Sequence, residues 1–174
     1  MNRETELWRM HRFIGDATVK QLIAMGFTKQ TASTKYHGCY EGGLFDHSWR
    51  VMERLLDLTR KNKLTWKRNR SPYVVALLHD ICKVDQYRKT TGLMGGTIYE
   101  WVDTEVKGHG EKSVIYAKRI MELTDEEEFC IRYHMGAFSD DAAERQAYSQ
   151  AAKRFPNVLY THLADMLASQ VDDL

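Results

Sequence analysis

Apolar residues along this chain recur mostly three and four positions apart, the spacing of helices that bury one face. Val51, Leu55 and Leu58 form such a stripe, which predicts a helix from Leu44 to about Lys61. Ser71-Pro72 reads as an N-cap and a first-turn proline opening the most apolar helix, YVVALLHDICK. A further helix is expected from about Gly110 to Leu123, carrying Val114, Ala117 and Ile120/Met121. Thr124 with Glu127 predicts a capping box and a helix to about Met135, stopped by Gly136. Pro156-Asn157 precedes VLYTHLADMLASQV, with Asn157 expected as the cap. About Glu4 to Met25 reads as a pair of short helices broken near Gly15-Asp16.

One stretch departs from helical spacing. Asp85 to Lys107 contains Thr90-Thr91-Gly92, Gly95-Gly96 and the strand-prone TIYEWV, which predicts a long loop or a short hairpin. Excursions of this length in compact domains tend to bind or to cover something. The expected architecture is an all-α bundle with this single insertion.

Composition changes the picture little. The chain has 174 residues, 43% of them hydrophobic, and a net charge of +1, which fits one globular domain and argues against a polyanion-binding coat. Cys39, Cys82 and Cys130 are odd in number and far apart, so neither a disulfide framework nor a thiolate zinc site is expected. The opening MNRETELWRM lacks the apolar core of a secretory signal, and no apolar run is long enough to cross a bilayer. The expected address is the cytoplasm.

The candidate chemistry lies in polar residues at positions a bundle would fill with apolar ones. His47 shares the stripe of Val51 and Leu55; His79-Asp80 ends the most apolar helix; His134 follows Cys130-Ile131; Asp165 sits within LADMLAS. His109 lies between two glycines at a helix start. Any one of these histidines alone would be read as a core residue. As a set they follow one another at about 25–32 residues, one helix and its connection, so each helix would bring one group inward. Imidazoles mixed with carboxylates suit divalent transition metals, and a buried acid becomes tolerable beside a cation.

The pattern His47 … His79-Asp80 … Asp165 resembles the HD-domain superfamily of metal-dependent phosphohydrolases. Further motifs are HGCYEGGLFDH ending at His47, ALLHDICK ending at Lys83, GHGEK around His109, and Leu163-Ala164-Asp165. They are similar to those of small stand-alone bacterial and phage HD proteins and of the HD domain of bacterial 3′–5′ exoribonucleases. The exoribonuclease carries a separate oligonucleotide-binding domain for which 174 residues leave no room.

The resemblance implies one HD domain over residues 1–174, with N-terminal helices 1–36 packed on a metal-binding core of 37–174. It implies two divalent ions (Mn, Fe, Ni, Mg or Zn), the first held by His47, His79, Asp80 and Asp165, the second by Asp80, His109 and His134. It further implies catalytic roles for Asp80 and Lys83, with a metal-activated hydroxide as nucleophile. Substrate contacts are expected from His37, Lys83 and Arg132. Lys112 is a further candidate phosphate contact, Glu111 and His162 are weighed as supporting residues, and Tyr87, Tyr99 and Trp101 as rings that could stack a base.

The implied reaction is phosphohydrolase or phosphodiesterase chemistry on a nucleotide or short oligonucleotide. The partner is then a phosphorylated small molecule, nucleotide or short single-stranded nucleic acid, and not a membrane. The same ligand set also serves di-iron HD oxygenases acting on small molecules, and a silent nucleotide-binding HD domain is a third reading. Oligomeric state stays open.

Overall fold

The computed structural model describes residues 2–36, 38–137 and 141–171. The N-terminal segment forms α1 (Arg3–Arg9), α2 (His11–Ile14) and α3 (Asp16–Ala24). The expected break falls at Gly15, whose φ of +85° only glycine adopts cheaply. A second break at Met10 makes three pieces where two were expected. Leu7, Ile14, Val19 and Leu22 from these pieces join one buried cluster with Val51, Leu55, Val75 and Ile131.

The long stripe becomes α4 (Gly43–Asn62), with Val51 and Leu55 fully buried, packed against α5 (Ser71–Leu78) and α9 (Asn157–Gln170). Between them lie α6 (His109–Ile120), α7 (Asp125–Arg132) and α8 (Ala142–Arg154). The sequence pattern assigned nothing to α8, whose residues are mostly exposed, with Ala151 alone fully turned in. The excursion at 85–107 contains an antiparallel hairpin, β1 (Tyr87–Thr91) and β2 (Thr97–Trp101), with Tyr87 opposite Trp101. The fold is thus the expected all-α bundle with one hairpin insertion. Among the described residues, no helix is long and apolar enough to cross a membrane.

Two expected caps are recruited elsewhere. Ser71 is already helical, and its Oγ donates to Glu127 Oε1 at 2.7 Å. Asn157 is also inside its helix, where Nδ2 donates to Thr65 O at 2.8 Å and Glu126 Oε1 at 2.9 Å. In both cases a buried carboxylate of α7 offers a stronger partner than an exposed backbone amide.

The capping box at Thr124 does form: Glu127 Oε2 accepts from Thr124 N at 2.7 Å while Thr124 Oγ1 accepts from Glu127 N. Glu127 is fully buried, so it ties the start of α7 to the start of α5. Glu127→Ala removes the carboxylate half of the capping box and orphans the Thr124 N–H and the buried Ser71 hydroxyl, with an expected loss of about 2–4 kcal/mol. A lower urea midpoint at unchanged slope would check this.

The apolar helix before the candidate site ends earlier than the pattern predicts. Its α-helical part stops at Leu78, and Asp80 takes φ −109° and ψ 15°, off the helical values. A 3₁₀ turn, Ile81–Asp85, follows and redirects Lys83.

Candidate metal centre

Each inward polar residue is delivered by a local device. His47 rides the second turn of α4, which begins at Gly42 (φ +85°) and Gly43. A Cβ on Gly43 would lie 1.9 Å from Gly38 O, so only glycine allows this close start. His109 opens α6, and a Cβ on the next residue, Gly110, would lie 1.9 Å from Arg132 O. That approach of α6 to the end of α7 brings the rings of His109 and His134 to 5.1 Å between centroids. Asp165 projects from the middle of α9.

The four histidines converge on Asp80, and Asp165 joins them through His47 and His79. Asp80 Oδ1 lies 2.6 Å from His109 Nε2 and 3.4 Å from His134 Nε2. Its Oδ2 lies 3.6 Å from Nε2 of both His47 and His79, and 2.6 Å from Lys83 Nζ. Asp165 Oδ1 sits 3.1 Å from His47 Nε2 and 3.9 Å from His79 Nε2. His47, His79, Asp80 and His134 are buried, Asp165 and His109 partly so.

Charge follows burial and neighbours. Burial drives the His79 imidazole down to about 3 against the pull of Asp80, so it is neutral. His134 is also opposed by burial, but Asp80 outweighs it and raises the ring above its usual value. Burial works against ionisation of Asp80, yet Lys83, His79 and His109 hold it well below the carboxylate range. Asp165 is lowered likewise, burial being overcome by its bond to His47. Lys83 keeps its charge because Asp80 overcomes the cost of burial.

The donor set fits divalent cations. His79 Nδ1–H donates to Ala76 O at 2.8 Å and His134 Nδ1–H to Ile131 O at 2.6 Å, since a carbonyl can only accept. In its neutral form each ring therefore turns an Nε2 lone pair inward, the arrangement that orients histidine ligands. His79 Nε2 meets His47 Nε2 at 3.2 Å. His134 Nε2 is buried and contacts Asp80 Oδ1 without meeting hydrogen-bond geometry. Inward lone pairs crowded around carboxylates are what a cation would satisfy. Among the described residues, His47-His79-Asp80, His79-His134-Asp165 and Asp80-His109-His134 each form a group able to hold a metal ion.

The cluster floors a cleft of about 540 Å³. Lys83, Tyr87, Trp101 and His162 line it, and His162 Nδ1 donates to His134 O at 2.7 Å. Arg132 is not among the lining residues: its guanidinium meets Glu111 at 2.8 Å and packs over Tyr133. Glu111 therefore pairs with Arg132 rather than supporting His109. Lys112 is buried and tied to Asp85 Oδ1 at 2.6 Å and Thr104 Oγ1 at 2.9 Å, a brace for the hairpin rather than a cleft contact. Tyr99 does not line the cleft, and His37 lies outside the described residues.

Sequence reasoning missed part of the lining. Met166, Ser169 and Gln170 come from α9; Ser169 lies four residues after Asp165 and Gln170 four after Met166, a helical spacing that could have revealed them. Ser33, Tyr36 and Met135 also line the cleft, and no local signal marks them.

Residues 44–169 match the family model described as HD domain, a span that takes in all six converging side chains. No curated protein and no solved structure matches the chain.

Proposed function

The chain belongs to the HD-domain family, and from that premise we propose a metal-dependent phosphohydrolase or phosphodiesterase acting on a nucleotide or short oligonucleotide. The observation that carries the reading is Asp80 at the floor of the cleft, each of its oxygens facing a different pair of imidazoles. One ion would be held by His47, His79, Asp80 and Asp165, and a second by Asp80, His109 and His134. Divalent cations held there make water acidic enough to attack at neutral pH and offset charge on phosphoryl oxygens.

The chain's own groups prepare the rest. The Ala76 and Ile131 carbonyls fix the tautomers of His79 and His134. Burial keeps His79 neutral, the form that offers a lone pair. Lys83 brings a charged ammonium with three N–H donors to the cleft wall, suited to a phosphoryl oxygen or to a leaving group gaining charge. Removing one such donor typically costs 10²–10³ in rate. Lys83→Met is therefore expected to lower kcat about 100- to 1000-fold while metal content, read by elemental analysis, stays near wild type.

The test of the function is manganese-dependent hydrolysis of a panel: nucleoside monophosphates, triphosphates, cyclic nucleotides and a short single-stranded RNA. Cleavage of one class supports the reading and names the substrate. Bound redox-active iron with oxygen uptake and no phosphate release would overturn it in favour of oxygenase chemistry.

A further inference from the structure

We propose that the outer part of this cleft is a stacking site for a single nucleobase, with Trp101 as its platform, so that the enzyme selects base-bearing phosphates over plain sugar phosphates. The inference rests on the phosphohydrolase reading and adds to it the part of the substrate that is recognised.

The cleft has two chemically different ends. The inner end is the cluster around Asp80. The outer end carries large apolar side chains left in water: Trp101 is 63% exposed, Tyr36 78% and Met135 45%, and all three line the cleft. An indole and a phenol left exposed beside a charged pocket offer flat faces to a flat ligand.

Trp101 is held firmly enough to act as a platform. It ends β2 opposite Tyr87, whose ring meets its own edge-on at 5.9 Å between centroids and 76° between planes. The next residue, Val102, donates its N–H to Gln86 O at 2.9 Å. Gln86 and Tyr87 directly follow the 3₁₀ turn that carries Lys83, so cluster and platform are joined through one short segment. A phosphate at the cluster and a ring over Trp101 would then be held by one connected segment, as the two ends of a single nucleotide require.

Size and polarity narrow the occupant. About 540 Å³ suits one small ligand rather than several stacked nucleotides. Of the polar side chains that also line the cleft, Ser169 is engaged by its own helix, donating to Asp165 O at 2.9 Å. Recognition by stacking tolerates any base, because every base has a π face. A monophosphate of either purine or pyrimidine type should therefore be accepted.

The experiment is calorimetric titration of the magnesium-loaded protein with hydrolysis-resistant phosphonates: adenosine 5′-phosphonate, uridine 5′-phosphonate and ribose 5-phosphonate. Wild type, Trp101→Ala and Trp101→Phe are compared, with hydrolysis of the corresponding phosphates measured in parallel. Both nucleoside phosphonates should bind about 10- to 100-fold more tightly than ribose 5-phosphonate. Trp101→Ala should erase that preference and leave ribose 5-phosphonate unchanged, whereas Trp101→Phe should keep most of it. Equal affinity for all three ligands, or a preference untouched by Trp101→Ala, would overturn the stacking site even if phosphates are hydrolysed. A preference dependent on Trp101 with no phosphate hydrolysed would leave the stacking site standing and remove the phosphohydrolase reading. Circular dichroism of Trp101→Ala should match wild type, as expected for a side chain mostly in water.

Discussion

Asp80→Ala should abolish turnover, by at least about 10³-fold, and strip the protein of most of its bound metal. Asp80 faces both sides of the cluster: one carboxylate oxygen faces His109 and His134, the other His47, His79 and Lys83. Losing it removes a shared anion from both proposed sites at once, whereas losing Asp165 leaves His109 and His134 facing an intact Asp80. The change also strands Lys83. Asp80 is what outweighs the burial of that ammonium, and breaking a buried pair from one side costs about 3–5 kcal/mol. Asp80→Asn separates the two effects, because it keeps the shape and one carbonyl oxygen while removing the charge. Elemental analysis and kinetics on both variants provide the check, with circular dichroism to establish folding. Full metal content and turnover in folded Asp80→Asn would show that the carboxylate does not hold the ions.

Chelation is the second large effect. An ion bound only by the folded state at 100 to 1000 times its Kd contributes about 2.7–4.1 kcal/mol, so EDTA should lower Tm by about 5–15 °C in a chain of this size. The drop should shrink on acidification, because protons compete with the cation for imidazole lone pairs. Acid should also weaken the metal-free protein. His79 titrates near 3 when folded and near 6.5 when unfolded, so between these values the unfolded chain binds more protons. Its contribution is present above 6.5 and is lost as pH falls toward 3. Asp80 and Asp165, lowered in the fold, act in the same direction at still lower pH, while His134, raised, opposes them. Thermal scans from pH 7.5 to 5.5, with and without EDTA, test both statements. A Tm indifferent to chelator at pH 7.5 would argue that no ion supports the fold.

Much of the scaffold was legible residue by residue. The stripe of α4, the break at Gly15, the capping box at Thr124 and the hairpin between 85 and 107 depend on spacing and local backbone preference, which a sequence carries openly. The inward polar residues were legible as a set because a bundle gives one delivery per helix. Misreadings arose where a side chain had a choice of partner. Ser71 and Asn157 have the chemistry of caps, but buried Glu127 and Glu126 engage them instead. Arg132 has the chemistry of a phosphate contact, and in the fold it also engages Glu111 and Tyr133.

The sequence by itself determined the element types, the family likeness and which six side chains stand out on apolar faces. The element types and the side chains follow from periodicity and from the cost of burying a charge, the likeness from the motifs around His47, His79-Asp80, His109 and Asp165. Only the tertiary structure decided where Lys83 points after the 3₁₀ turn, and that Trp101 and α9 wall the same cleft. Those depend on close approaches such as Gly110 against the Arg132 carbonyl and on competition among distant partners. Both are properties of the packed chain, set by contacts between segments that no local window of sequence contains.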